Sequence, residues 1–462
     1  MIRRIVVMPA YDWLVEGWRK RSFSVAAKSL EDTMEVAGIR LVEEFHPVRV
    51  TSRLGSPAAR AEGFDYGPSG RSHTYAVVAE CDDEDAVERL GRERGDRIVG
   101  LYADPRISAF PAPYCGSGAV GGVREVETQI GVRALRDAGL RGRKVRVVVM
   151  DTGIDGSRIK VAGGWAPDPQ YVPGSAPLDH GTMVAFDAKI AAPDAEILDY
   201  ALLTSGAEAW SGFLSDAIAG YADLLQRIQN DKRPLVVNNS WGMYDRSDDA
   251  PIGSPENYAA NPDHPFNQIV ASLVGAGADV FFAAGNCGTP CASGRCGTRD
   301  RGPGASIHGA NSHPDVVTVA AVTVKDARLG YSSQGPGAIA ARKPDLAASS
   351  HFKGSGVYAA DTGTSAASPV AAGVAAALRQ KLSDRTKFTP GQLKGLLQRS
   401  ARDINQDGWD ADLGYGVVHA PSALRALGVK PVTKRAAKPA KKPRATKRSR
   451  ARSRRPKVRA GR

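Results

Sequence analysis

The stretch Lys144–Met150, KVRVVVM, is apolar without the alternation of a half-exposed strand. That pattern belongs to a strand covered on both faces. From about residue 120 to 430 similar short runs alternate with helical segments. Gly212–Asn230 reads as an amphipathic helix and Leu235–Asn238 as a strand. Asn267–Gly277 is a helix leading into the strand Val280–Ala284, and Asp315–Val324 is a further strand. Ser365–Leu382 is an Ala-rich helix, and Pro390–Arg402 is a helix with Pro in its first turn. Strands separated by helices predict an α/β fold: a three-layer parallel sheet with helices on both faces. Sites in such folds lie beyond the carboxyl ends of the strands.

Residues 1 to about 110 have a different texture and predict a small α/β unit. Ile2–Met8 is a short apolar strand, and Val25–Val36 has helical character. Arg40–Arg49 and His73–Glu80 are strand-like. Asp82 to Asp85 open a helix through Arg94, with acid at its positive end. Arg97–Tyr102 closes the unit, and 104–113 is a Pro-containing connector. The expected organisation is 1–112, 113–430 and 431–462.

The net charge of +13 invites a nucleic-acid reading, but 15 of the 62 Lys and Arg lie in Pro431–Arg462, which holds no acid. The remainder carries 47 basic against 49 acidic residues, so the folded body needs no polyanion on charge grounds. The tail is Lys, Arg, Ala, Pro and Ser almost throughout and reads as disordered. Its three readings are a solvated extension, a tether to nucleic acid or another polyanion, and a membrane-surface contact. Salt-sensitive binding would mark the second. No apolar run reaches the roughly 18–20 residues of a membrane span. The N-terminus, MIRRIVVMPAYDW, lacks the apolar stretch and cleavage site of an export signal. Of the five cysteines, three fall within Cys287–Cys296. A loop disulfide or free thiols fit that spacing better than a metal site without a fourth ligand.

Three short segments concentrate chemistry. Asp151-Thr152-Gly153-Ile154-Asp155 follows directly on the buried strand. Asp179-His180-Gly181-Thr182 and Gly363-Thr364-Ser365-Ala366-Ala367-Ser368-Pro369 each open a helical stretch. A serine hydroxyl needs a base to accept its proton, and the base needs a partner to hold its tautomer. Asp151, His180 and Ser365 supply those three parts. A fourth segment, Phe281-Phe282-Ala283-Ala284-Gly285-Asn286, ends a strand in an amide able to donate to an oxyanion.

The order Asp, His, Asn, Ser, within DTGID, HGT, AAGN and GTSAASP, resembles the subtilisin family of serine proteases over roughly residues 120–425. Asn238-Asn239-Ser240-Trp241-Gly242 is similar to that family's substrate-binding strand, and Gly414–Ala420 to its closing segment. The resemblance implies a serine endopeptidase with Ser365 as nucleophile, His180 as general acid and base, Asp151 as orienting carboxylate and Asn286 in the oxyanion hole. Ser240, Trp241 and Gly242 would bind substrate as an added strand. Trp241 has two readings, lining a pocket or packing. No cofactor is required by this chemistry. The N-terminal unit resembles a subtilisin propeptide. It would act as intramolecular chaperone and inhibitor, with the segment Ile107-Ser108-Ala109-Phe110 near the cleft and cleavage within about 105–120. The resemblance favours export, although the sequence shows no signal.

The chain departs from the family's pattern after His180. Met183 and Phe186 replace a His and a Gly, and a loop that holds calcium in many relatives is shortened. Asp403-Ile404-Asn405-Gln406-Asp407-Gly408 resembles the start of a calcium loop, but the twelfth position is Gly414. A polar turn held by Asx hydrogen bonds is the alternative. His264, His308 and His313 have no catalytic company and are expected at the surface or in loops. Two other functions compete: a protease-like binding protein tethered by its tail, and acyl transfer to an amine on the same residues.

Overall fold

The computed structural model of the chain describes residues 1–9, 14, 38–42, 44–50, 74–92, 98–109, 118–206, 208–429 and 461. The expected helix Val25–Val36, Phe110, Cys115 and nearly all of the basic tail lie outside the described residues.

The N-terminal strands are β1 (Ile2–Pro9), β2 (Ile39–Leu41), β3 (Val48–Val50), β4 (Thr74–Cys81) and β5 (Gly100–Ala103), with helix α1 (Glu84–Arg92). They form an antiparallel sheet ordered β2-β4-β1-β5, with β3 also on β4. The single strand expected over 40–49 is thus two short ones on the same partner. Alternation along β1 separates two cores. Val6 and Met8 pack with Leu90 and Ala86 of α1. Ile5 and Val7 face the other way, into a core shared with Leu214, Ile218 and Tyr221 of the main body.

The body carries seven parallel strands: β7 (Arg146–Asp151), β8 (Val161–Trp165), β9 (Glu196–Ala201), β11 (Leu235–Asn239), β13 (Asp279–Ala283), β14 (Val317–Val322) and β15 (Leu346–Ser349). Their order is β15-β14-β13-β11-β7-β9-β8. Every residue of β7 is buried, as its unbroken apolar run requires. On one face lie α4 (His180–Ala191) and α7 (Thr364–Arg379), with α2 (Val123–Ile130), α3 (Val132–Asp137), α8 (Pro390–Ser400) and α9 (Ala420–Ala426) around them. On the other lie α5 (Leu214–Asn230) and α6 (Pro265–Gly275). No helix among the described residues is long and apolar enough to cross a membrane.

The small residues of α7 have a packing reason. All sixteen of its positions are buried, and a Cβ on Gly373 would stand 2.3 Å from the Ala188 carbonyl oxygen. Only Gly lets α7 and α4 approach that closely. At the far end of α7, buried Arg379 makes a bidentate pair with Asp279 (2.6 and 2.7 Å) and donates to the Leu382 and Phe388 carbonyls. Burial raises the Asp279 carboxyl, and the guanidinium opposes that shift.

A third sheet joins the two regions. β6 (Arg106–Ala109) runs antiparallel between β10 (Ser211–Phe213) and β12 (Trp241–Gly242). The helix expected from Gly212 therefore starts only at Leu214, because Gly212 and Phe213 pair with β6 instead.

Candidate active site

Asp151 is the last residue of β7, at the carboxyl end of the sheet, and is fully buried. Its Oδ1 accepts from the Thr152 N–H (2.8 Å) and lies 2.7 Å from His180 Nδ1. The carboxylate thus selects the tautomer with hydrogen on Nδ1, leaving Nε2 as the acceptor. Nε2 is buried and makes no hydrogen bond among the described residues. The two segments are laced together. Gly181 N donates to Thr152 Oγ1 (3.0 Å) and Asp155 N to Thr182 Oγ1 (2.9 Å). A Cβ on Gly181 would sit 2.3 Å from the Gly153 carbonyl oxygen, so the residue after His180 must be Gly.

Ser365 is the second residue of α7 and is fully buried. Pro369, four residues on, has no N–H to give to the Ser365 carbonyl. The Ser240 hydroxyl donates to that carbonyl instead (3.0 Å), while Ser365 Oγ donates to the Ser240 carbonyl (3.1 Å). Behind them Ser368 Oγ donates to Asn238 Oδ1 (2.7 Å), and Asn238 Nδ2 donates to Ser240 Oγ (2.9 Å). A buried polar chain therefore sets the backbone around Ser365.

Asn286 follows β13 and is fully buried. Its Oδ1 accepts from Thr364 N (3.0 Å) and Thr364 Oγ1 (3.1 Å). These bonds orient the amide, with its NH2 on the opposite side. Gly285 N donates to Thr364 Oγ1 (3.0 Å), so the end of β13 and the mouth of α7 form one unit.

The three residues Ser240, Trp241 and Gly242 divide their roles. Gly242 lies opposite Ser108 and Trp241 opposite Ala109 through the backbone. The Trp241 side chain is wholly in the core, against Phe266 and Phe282, which decides for packing. Ser240 holds Ser365 and lies outside the paired strand.

Several features had no sequence signal. The Asp179 carboxylate caps α4 at His180 N (2.8 Å), and also accepts from Trp210 Nε1 (2.6 Å) and the Tyr358 hydroxyl. Asp199 accepts from Tyr171 (2.7 Å) and Gly174 N (2.8 Å), tying down the loop that leads to His180. Burial pushes the carboxyl of Asp199 up, and these bonds pull it back.

The three histidines expected at the surface or in loops do lie in loops, but all three are buried. An imidazole can take a helix-capping or interior place when its ring nitrogens find partners. His264 does so: Nδ1 accepts from Phe266 N (3.2 Å) and Nε2 meets the Ala103 carbonyl (3.0 Å). His313 Nδ1 accepts from Asp315 N (3.2 Å), and His308 Nε2 lies 3.5 Å from Asp300. Cys287 and Cys296 form a disulfide. Exposed Asp403 accepts from Asn405 N (3.4 Å) and Gly408 N (2.9 Å), as in a turn held by Asx hydrogen bonds. Among the described residues no three His, Cys, Asp or Glu are grouped as a metal site.

The parallel sheet thus carries a carboxylate–imidazole pair and a helix-mouth serine at its carboxyl end. Residues 142–416 match the Subtilase family (peptidase S8), and the chain belongs to that family of serine peptidases. It is 28% identical over 306 residues to the human membrane-bound transcription factor site-1 protease, covering 61% of this chain and 25% of that protein. It is 26% identical over 340 residues to subtilisin E of Bacillus subtilis, covering 71% of this chain and 78% of that protein. The chain thus spans about a quarter of the length of the site-1 proteases it matches. A solved cold adapted subtilisin-like serine proteinase aligns at 23% identity with a TM-score of 0.43, covering 61% of this chain and 88% of that one.

Proposed function

We propose that the chain is a serine endopeptidase that cleaves peptide bonds through an acyl-enzyme. The observation carrying this reading is the 2.7 Å bond between His180 Nδ1 and Asp151, which leaves Nε2 as the acceptor. The Ser365 hydroxyl leaves the Ser240 carbonyl, gives its proton to Nε2, and attacks the substrate carbonyl carbon. Asp151 stabilises the imidazolium that forms. The negative oxygen takes hydrogen bonds from Asn286 Nδ2 and the Ser365 N–H, at the positive end of α7. His180 then protonates the leaving amine. A water then attacks the acyl carbon, giving its proton to His180, which passes it to Ser365 Oγ as the acid leaves. No metal or cofactor takes part in these steps.

The substrate would lie where β6 lies, as an extended strand between β10 and β12. On this reading residues 1–112 are an intramolecular inhibitor and folding aid, and the chain processes itself after that unit docks. Its docking is built from specific contacts. Buried Asp104 accepts from Ser215 N and Ser215 Oγ (both 2.8 Å) and from Arg3 (3.1 Å), and the Arg3 guanidinium lies 3.8 Å from the Phe213 ring centroid. Polyanion binding by the tail remains a separate proposal, supported by its composition.

Ser365→Ala tests the whole scheme. Its expected loss of peptide hydrolysis is on the order of a millionfold, the scale known from triad removal in a related subtilase. N-terminal sequencing should find the mutant uncut and the wild type cut near the end of the first unit. An active or processed mutant would remove Ser365 as nucleophile.

A further inference from the structure

Three segments around the cleft converge on one carboxylate. Asp179 Oδ1 accepts from the His180 N–H (2.8 Å) and from the Tyr358 hydroxyl, and Oδ2 accepts from Trp210 Nε1 (2.6 Å). Tyr358 belongs to the loop before Ser365. Trp210 immediately precedes β10, and its carbonyl accepts from the Ala109 N–H of β6 (3.0 Å). Trp210 also sits at φ 60°, a left-handed conformation that a bulky residue adopts only when its surroundings impose it. The indole bond to Asp179 and the carbonyl bond to β6 are the two anchors on either side of that backbone.

We propose that Asp179 is a positioning residue that couples occupancy of the cleft to the setting of His180, through Trp210. The proposal rests on the peptidase reading above. A polypeptide seated beside β10 bonds the Trp210 carbonyl, as Ala109 does. That bond holds the Trp210 backbone, whose indole then holds Asp179. The same carboxylate caps the helix that begins at His180, so the imidazole is steadied when a strand is present. A substrate too short to reach β10 gains none of this. Tyr358 donates to the other carboxylate oxygen, Oδ1, and makes no hydrogen bond to β6 or β10 among the described residues. Burial and the Asp179 charge both push its phenol up, so it stays a proton donor. Strand filling should therefore appear in kcat as well as KM.

The test uses protein expressed from the full chain and purified after its own processing has run to completion. Two probes are compared: a peptide anilide with four residues before the scissile bond, and a single-residue ester. The quantity read is the ratio of their kcat values. Wild type should favour the long probe. Trp210→Phe, which keeps a ring but removes the indole N–H, should cut the ratio about tenfold, the scale of one charge-assisted hydrogen bond. Asp179→Asn can still cap His180 but can turn only its NH2 toward Trp210. It should cut the ratio equally, and the double variant should fall no further. Tyr358→Phe should lower both kcat values while the ratio holds. If Trp210→Phe reduces both probes by the same factor, or the two variants add independently, the coupling is wrong. A wild-type chain inert to both probes would instead remove the peptidase reading and this proposal with it.

Discussion

The seven-strand sheet takes all its strands from one stretch, 146–349, and runs them parallel. The three-strand sheet takes β6 from before residue 110 and β10 and β12 from after 210, and runs antiparallel. The first is buried between helical layers, and its carboxyl ends carry Asp151 and Asn286 on fixed backbone. The second has only two to four residues per strand, and its central member comes from the N-terminal region of the chain. A deep, continuous core gives the geometry that a proton relay needs. A short strand inserted between two others by backbone pairing makes contacts that, on the proposed reading, a substrate strand takes over. On the proposed reading, chemistry and occupancy fall to sheets of different construction.

The largest effect should come from breaking the support of the large sheet. Arg379→Ala leaves Asp279 buried without its partner and should cost about 3–5 kcal/mol. Urea unfolding would measure this. A loss under about 1 kcal/mol would mean the pair matters little to the body. Asn286→Ala should leave the fold intact and lower kcat by roughly a hundredfold to a thousandfold, the range seen for the same donor in a related subtilase. An unchanged kcat would take Asn286 out of the oxyanion hole.

A smaller effect belongs to the junction of the two regions. His264 is fully buried where β5 meets the body, and burial pushes its imidazole down to about 4. The neutral ring is the one that fits, since Nδ1 accepts from Phe266 N. A depressed histidine adds stability above its ordinary value near 6.5, and that stability is lost as pH falls toward 4. Between pH 7.5 and 4 wild type should lose up to about 3 kcal/mol more than His264→Gln. Parallel losses in the two proteins would show that His264 is not the sensitive group.

The two sheets also differed in how far the sequence disclosed them. Four strands of the parallel sheet, β7, β11, β13 and β14, were readable because KVRVVVM and its successors are local signals, whereas β8, β9 and β15 were not read. The identity of β10 was not readable. Gly212 and Phe213 carry no strand pattern of their own and become strand by pairing with residues a hundred positions earlier. Trp241 was ambiguous because its backbone faces the cleft while its ring fills the core. The reach of Asp179 to Trp210 and Tyr358 depends on loops whose paths no periodicity encodes. Burial of His264 depends likewise on a carbonyl from another unit.

The relay itself is open to one direct measurement: labelling by a small fluorophosphonate, with the modified residue located by mass spectrometry. Wild type should take one label, on Ser365, at a rate that collapses in His180→Ala. A label on another residue, or equal labelling of Ser365 without His180, would contradict the account.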